Sequence, residues 1–259
     1  MRTPLLATAL GLSLAGCLTI GDSGTAPNGG DDDTGSSTGS NTGSNATPGV
    51  NVTTDRATVT TELGKAEVVT LTFTSVNSFT GSVTVTPSLV DGTGVALTTG
   101  GLTVAGPTSV SVAASAPASA MYTVTIPTDA TATQMTADLK LDVASSAGTK
   151  SVTSAFTIAP TYSLTYAAGL AANLAMHPLT GLKVSLKKGA KISLHNADTI
   201  VHVTHGDGGF KHEDIPTGGQ PGATYVIDTS QLAVGTMGQV GCHSHSGNNN
   251  ETYATVTIK

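Results

Sequence analysis

Apolar and polar side chains alternate along most of the chain after about residue 48. Stretches such as Val83–Thr86, Tyr122–Ile126 and Leu139–Val143 place an apolar residue at every second position, with mainly threonine, serine or a charged residue between. A period of two predicts half-buried β-strands. Glycine, proline, aspartate and asparagine separate the stretches, as expected for turns. The pattern therefore predicts an all-β protein.

Two such regions follow one another, and each predicts a β-sandwich. Residues 49–159 contain eight or nine strand signals and resemble a bacterial immunoglobulin-like (Ig-like) domain. They contain no histidine, so a spacer is the expected role and adhesion is the alternative. Residues 160–259 form a second all-β region, with strand signals at Leu182–Leu186, Lys191–Leu194, Thr224–Ile227, Gly238–Val240 and Thr252–Ile258.

The first 48 residues do not follow this pattern. Arg2 precedes an apolar run from Leu5 to Ala15, which is too short to span a bilayer as a helix. The run is followed by Gly16-Cys17, and this ending resembles the lipobox of bacterial lipoproteins, with residues 1–16 as the signal peptide. The resemblance implies an acylated Cys17 and, because Leu18 follows it, an outer-membrane lipoprotein. An ordinary signal peptide is the alternative. Residues 17–48 are rich in Gly, Ser, Thr and Asp and predict a disordered linker.

Composition excludes several functions. The chain has 259 residues, a net charge of −6 and only two cysteines. The weak acidity offers no basic surface for nucleic acid, and two cysteines cannot form a disulfide framework or a four-thiolate iron–sulfur cluster. With Cys17 acylated, no second cysteine remains for an intramolecular disulfide with Cys242. Such a thiol persists in an oxidising compartment if it is buried or binds a metal.

All seven histidines lie in residues 160–259, together with Cys242. The Cys-x-x-His spacing of Cys242 and His245 lets a thiolate and an imidazole meet at one ion if the chain turns after a strand. A third candidate, His202, follows a strand signal and a turn. Two imidazoles and one thiolate form the trigonal ligand set of copper electron-transfer sites. These residues therefore predict a copper site.

Residues 160–259 resemble the cupredoxins, the small blue copper proteins of the plastocyanin and pseudoazurin kind. Three segments carry the resemblance: the strand–Lys-Gly–strand segment Leu182–Ile192, the first-ligand segment Asn196–His202, and the ligand loop Gly235–His245 with its closing strand Ala254–Ile258. The resemblance implies a Greek-key sandwich that holds one type 1 copper ion. It also implies that His202, Cys242 and His245 are the equatorial ligands.

The weak axial position departs from the family pattern. Many cupredoxins have a methionine there, but no methionine follows Cys242. Counting along a plastocyanin-like loop reaches Asn250, whose side-chain oxygen could serve as glutamine does in some blue copper proteins. Glu251, a backbone carbonyl and an empty position are the alternatives. Met237 has the opposite strand parity to Cys242 and is a poor candidate.

Two histidines lie beside the predicted ligands without being assigned to the metal. On continuous strands, His205 faces away from His202, and His243 faces away from Cys242. We expect both either at the surface or in contact with the ligands without binding the metal. A zinc site or a second copper ion remains an alternative for this group of histidines.

The other three histidines are given no ligand role. His177 precedes Pro178 in an insert rich in alanine and leucine and is expected in a loop, whereas His195 and His212 are expected to be exposed. A small acidic loop, solvated or used for partner docking, is predicted at Asp207, Glu213 and Asp214.

Three functions fit these observations. The first is a non-enzymatic, membrane-tethered type 1 copper protein that carries single electrons between envelope redox proteins, with the ring edge of His245 as the transfer route. The second is a lipoprotein that sequesters or delivers copper or zinc. The third is a metal-free adhesive or structural surface protein. A thiol enzyme is disfavoured because no oxyanion motif or Asn/Asp partner segment accompanies Cys242.

Overall fold

The structure, a computed structural model, describes residues 47–97, 101–170, 177–242 and 253–259. Within these ranges the secondary structure consists of β-strands and one short 3-10 turn, Ala132–Gln134. The strands are β1 (Gly49–Thr54), β2 (Thr58–Glu62), β3 (Ala66–Val76), β4 (Gly81–Val90), β5 (Thr103–Ala105), β6 (Ser109–Val112), β7 (Ala118–Thr125), β8 (Thr136–Ser145), β9 (Gly148–Ala159), β10 (Thr161–Tyr166), β11 (Lys183–Leu186), β12 (Lys191–Asn196), β13 (His202–Gly206), β14 (Glu213–Ile215), β15 (Thr224–Asp228), β16 (Met237–Cys242) and β17 (Tyr253–Ile258). The predicted all-β class is confirmed. In the described part of the chain, no helix has the length and apolar character needed to cross a membrane.

Strands β1 to β9 form two sheets, with the strand orders β1-β3-β7-β5 and β2-β9-β8-β4-β6. Their pairs are antiparallel except for β2 with β9. The period-two alternation sets the burial: Val69, Leu71 and Phe73 of β3 are fully buried between more exposed neighbours. Each such side chain contributes about 1.5–3 kcal/mol by leaving water. Burial of one face of each sheet produces the sandwich that the alternation predicts.

The core of this first sandwich contains a close approach between backbone and ring. Tyr122 is fully buried, and its hydroxyl donates a hydrogen bond of 2.8 Å to the carbonyl of Pro107. Gly106 lies against the ring, where an added Cβ would come within 2.3 Å of Cδ1 of Tyr122. Only glycine fits at this position without displacing the ring.

Strands β10 to β17 form two further sheets, with the orders β10-β12-β15 and β11-β17-β16-β13-β14. The pairs β10 with β12 and β11 with β17 are parallel, and the rest are antiparallel. From β10 to β13, each successive strand lies in the other sheet. Residues from both sheets line the same small apolar gap: Tyr162, Leu164, Leu179, Val184, Ile192, Leu194, Val240, Ala254 and Val256.

Part of the predicted acidic loop is a strand. Glu213 and Asp214 belong to β14, which pairs with the first three residues of β13. The prediction of a loop is therefore wrong for these two residues, whereas Asp207 lies outside the strands. β14 has only three residues, with Ile215 buried and both acids exposed, so the sequence carries no alternation there. Its strand conformation comes from pairing with β13.

The two pairs of sheets follow each other with only Pro160 between β9 and β10. Contacts cross this junction: the Leu63 amide donates to the Thr161 carbonyl at 3.0 Å, and the Thr128 hydroxyl donates to the Ser185 carbonyl at 2.7 Å. Residues Asn45–Lys259 form one compact unit.

Candidate metal centre

One end of the second sandwich brings together the ends of several strands. Asn196 ends β12, His202 begins β13 and Cys242 ends β16. Thr204 of β13 lies directly opposite Cys242 of β16. Since side chains alternate along a strand, His202, Thr204 and Cys242 share the inward face, and all three are buried. His205 has the opposite parity and is exposed.

The thiol of Cys242 and the imidazole of His202 are in contact. Sγ of Cys242 lies 3.5 Å from Nδ1 of His202, and the two residues are 2% and 0% exposed. Metal bonds of about 2.3 Å to sulfur and about 2.05 Å to nitrogen, at a tetrahedral angle, separate the two ligand atoms by about 3.6 Å. The two side chains are therefore spaced as ligands of one ion.

A carboxylate holds the other side of the His202 ring. Nε2 of His202 donates a hydrogen bond of 3.2 Å to Oδ2 of Asp198, which is itself buried. Oδ1 of Asp198 accepts hydrogen bonds from the amides of Gly169, at 2.8 Å, and Thr199, at 2.7 Å. A proton on Nε2 leaves the lone pair on Nδ1 directed at Cys242. A carboxylate behind a ligating histidine is the usual arrangement of metal sites.

The amide of Asn196 fixes the loop that carries Asp198. Nδ2 of Asn196 donates to the carbonyls of Ile200 at 2.8 Å, Pro216 at 2.9 Å and Ile215 at 3.1 Å. Its Oδ1 accepts a bond of 2.8 Å from the Asp198 amide. Asn196 occupies an inward position of β12, where a buried amide has to be fully hydrogen-bonded. The result is a rigid turn leading into His202.

His177 joins the pair as a third potential ligand. It is buried, and one ligand atom each from His177, His202 and Cys242 lie within 4.8 Å of one another. It lies outside the strands, as predicted, and no role at the metal was predicted for it. The signal in the sequence was its apolar surroundings, which favour burial of the segment. No short sequence motif links His177 to His202 or Cys242.

The ring of His177 has a defined orientation. Its Nδ1 accepts a long hydrogen bond of 3.3 Å from the Leu179 amide. Binding of an ion through either nitrogen removes this bond, because Nδ1 either becomes the ligand or carries the remaining proton. A bond this long is easily exchanged for a metal contact.

The ring of Tyr166 forms a wall of the site. It stacks on His202 with the centroids 4.6 Å apart, and its centroid lies 5.1 Å from that of His177. The Tyr166 hydroxyl is buried and has no hydrogen-bond partner among the described residues. Burial, and then the charge of the Cys242 thiolate, raise the pKa of Tyr166 strongly. Tyr166 therefore stays neutral and adds no charge next to the thiolate.

Several predicted residues lie outside the described ranges: Cys17 with the signal peptide and most of the linker, and His243, His245, Asn250, Glu251 and Thr252. Their roles stay predictions. Met237, a poor axial candidate by its parity, is 66% exposed.

Two further histidines lie on the surface, as predicted. His195 is exposed, and its Nδ1 is 2.9 Å from the hydroxyl oxygen of Thr224. His212 is exposed, and its ring lies 6.1 Å from that of His205. Neither is part of the buried cluster of His177, His202 and Cys242.

No protein-family model and no curated protein matches this chain. Among solved structures, it is similar to a family 123 glycoside hydrolase from Clostridium perfringens, with 12% identity and a TM-score of 0.32 over 50% of this chain and 32% of that one. It is also similar to the sialic acid binding region of a Streptococcus sanguinis adhesin, with 9% identity and a TM-score of 0.32 over 81% and 77% of the two chains. A third is the chaperone–tip adhesion subunit complex of the Csu pili of Acinetobacter baumannii, with 12% identity and a TM-score of 0.29 over 81% and 99%. The chain spans about a third of the glycoside hydrolase. TM-scores this low support no inference about function.

Proposed function

We propose that this protein is a membrane-tethered copper protein that carries single electrons, with His202 and Cys242 as ligands of the ion. The observation that supports this most is the buried 3.5 Å contact between Sγ of Cys242 and Nδ1 of His202. A copper ion held there would change between Cu(I) and Cu(II) and would require no substrate. Imidazole and thiolate suit both oxidation states.

The surrounding residues supply the rigidity that such a site needs. Asp198 keeps the proton on Nε2 of His202, so Nδ1 remains a donor to the ion. Asn196 fixes the turn before His202 through its hydrogen bonds. The ring of Tyr166 covers one side of the His202 imidazole. With ligands held in place before binding, little rearrangement accompanies the gain or loss of an electron.

The proposal includes the remaining predictions from the sequence. His245 would complete the equatorial ligands, and its ring edge would be the route to redox partners in the cell envelope. An acylated Cys17 would anchor the chain to the outer membrane, and residues 17–48 would act as a flexible tether between the anchor and the folded domains. The Ig-like sandwich would act as a spacer. The two-sheet arrangement of β10 to β17, in which the chain repeatedly changes sheets, supports the cupredoxin resemblance.

Metal storage or delivery is a second candidate function. It is favoured by the depth of the cluster, since His177, His202 and Cys242 are all buried. Closed sets of nitrogen and sulfur ligands also suit zinc. A protein of this kind would bind copper or zinc without passing electrons to a partner.

Copper titration of the full chain carrying Cys17→Ser, which prevents acylation, tests the proposal. We expect Cu(II) to produce an intense thiolate-to-copper charge-transfer absorption that a reductant bleaches reversibly. A further Cys242→Ser substitution should abolish the absorption, whereas the matched control His195→Ala, at an exposed site, should keep it. An absorption that survives Cys242→Ser contradicts the ligand assignment. Tight binding of zinc without coloured copper binding supports the storage function instead.

A further inference from the structure

We infer that His177 is a ligand of the same ion and occupies the fourth position, which the sequence assigned to Asn250. This inference rests on the proposed function, because it needs an ion at His202 and Cys242. It is carried by one juxtaposition: three buried side chains from three separate segments present their ligand atoms within 4.8 Å of one another.

The distances distinguish two kinds of contact. His202 and Cys242 lie 3.5 Å apart, which matches the edge of a regular metal site. The ligand atom of His177 lies no more than 4.8 Å from the other two. At a tetrahedral angle, metal bonds of about 2.05 and 2.3 Å place two ligand atoms about 3.4–3.6 Å apart, so a side-chain adjustment of up to about 1.4 Å brings His177 onto the same ion. A longer, weaker bond, as at axial positions of copper sites, requires less adjustment still.

The backbone holds His177 where it can serve this purpose. Pro178 follows it, and a residue before proline is confined to extended conformations. The carbonyl of His177 accepts a hydrogen bond of 3.0 Å from the Thr180 amide, and the Gly181 amide donates to the Tyr253 carbonyl at 3.1 Å. The segment is therefore tied to its own turn and to the first residue of β17. Tyr166 lies against the rings of both histidines and limits their relative rotation.

An imidazole as the fourth ligand has chemical consequences. Imidazole is a harder donor than the thioether that many cupredoxins use, so it favours Cu(II) over Cu(I) and lowers the reduction potential. It also makes the site closer to the tetrahedral nitrogen and sulfur sets that bind zinc. His177 would thus explain how the chain has a complete site without a methionine after Cys242.

Three variants at this position test the inference in the full chain with Cys17→Ser. His177→Ala should weaken binding of Cu(II) and zinc by at least about tenfold, since even the loss of a residue that only hydrogen-bonds to a ligand lowers metal affinity about 10–100-fold. His177→Met should retain copper, raise the reduction potential and shift the charge-transfer band. The control His195→Ala removes an exposed imidazole and should match wild type. Affinities come from competition with a chelator of known strength, and potentials from a redox titration.

Chemical rescue separates a ligand from a merely structural residue. His177→Gly leaves space for an imidazole, and we expect added imidazole to restore the wild-type spectrum, whereas the same addition leaves Cys242→Ser colourless. Circular dichroism of the metal-free proteins checks that the sandwich folds. If His177→Gly does not fold, His177→Gln, which keeps the volume, replaces it in the affinity measurement.

The outcomes also separate this inference from the proposed function. If the parent chain binds neither metal, or binds both equally well with Cys242→Ser, the proposed function fails. If binding depends on Cys242 while His177→Ala and His177→Gln retain wild-type affinity, potential and spectrum, the proposed function stands and His177 is not a ligand. X-ray absorption of the copper-loaded protein should show one fewer imidazole in His177→Ala, and an unchanged number would overturn the inference.

Discussion

Asp198→Asn replaces one buried carboxylate oxygen beside the His202 ring with an NH₂ group. In the native protein, Oδ2 of Asp198 accepts the Nε2 proton of His202, while Oδ1 accepts from the amides of Gly169 and Thr199. An asparagine that keeps the last two bonds places its NH₂ group against Nε2, so two donors face each other. The conflict disappears only if the His202 proton moves to Nδ1, which is the nitrogen that faces Cys242.

This change of tautomer sets the size of the effect. A proton on Nδ1 occupies the lone pair needed for the metal, and it has to be lost before an ion binds. Loss of a partner behind a ligating histidine costs about 10–100-fold in metal affinity, or about 1.4–2.7 kcal/mol. The metal-free fold keeps the same hydrogen bonds in the new tautomer, so its free energy of unfolding should change by less than about 1 kcal/mol.

Chelator competition with zinc and with Cu(I), under reducing conditions, measures the affinity, and urea unfolding of the metal-free protein measures stability. Asp228→Asn is the matched control, because that carboxylate is exposed and, within the described ranges, accepts hydrogen bonds only from Ser230 in its own turn. We expect the control to leave both quantities unchanged. Wild-type metal affinity in Asp198→Asn would refute the tautomer argument, and equal losses of affinity and stability would reduce Asp198 to a structural role.

Two further predictions concern the sandwiches themselves. Gly106→Ala brings a methyl group within 2.3 Å of the buried Tyr122 ring and should lower the free energy of unfolding by about 1–3 kcal/mol. The control Gly92→Ala, where an added Cβ meets no atom within 4 Å, should change it by less than about 0.5 kcal/mol. Equal midpoints of urea unfolding for the two variants would contradict the packing argument. The hydrogen bond from Lys259 lowers the pKa of Asp129, so this pair stabilises the fold above about pH 4 and the contribution is lost as the pH falls through the folded pKa. Asp129→Asn should therefore cost at most about 1 kcal/mol at pH 7 and nothing once the carboxyl is protonated, and a cost that is independent of pH would exclude the ion pair as its cause.

Many strands could be predicted from the sequence, because the alternation of apolar and polar residues is a local property of the chain. β4, β7 and β8 coincide with clear period-two stretches, and the apolar residues at their alternating positions are buried, whereas Met121 of β7 is out of phase and exposed. β14 was missed because its strand conformation depends on β13 and not on its own three residues. The same reasoning explains why the sheet pairings come only from the structure.

The candidate site was predictable in part. His202 and Cys242 could be named from the ligand spacing and the cupredoxin resemblance, and they lie in contact. His177 could not, because its proximity to the other two depends on tertiary packing that spacing along the sequence does not encode. Asp198 was visible only as part of a motif. Its role behind His202 depends on a buried geometry that neither composition nor spacing encodes.

A crystal structure of the copper-loaded chain, with anomalous diffraction at the copper edge, tests the central claim most directly. We predict one strong peak within bonding distance of both Sγ of Cys242 and Nδ1 of His202, at the end of the second sandwich where these two side chains lie in contact. A peak bound elsewhere, or a copper-free thiol still in contact with His202 after copper loading, would contradict it.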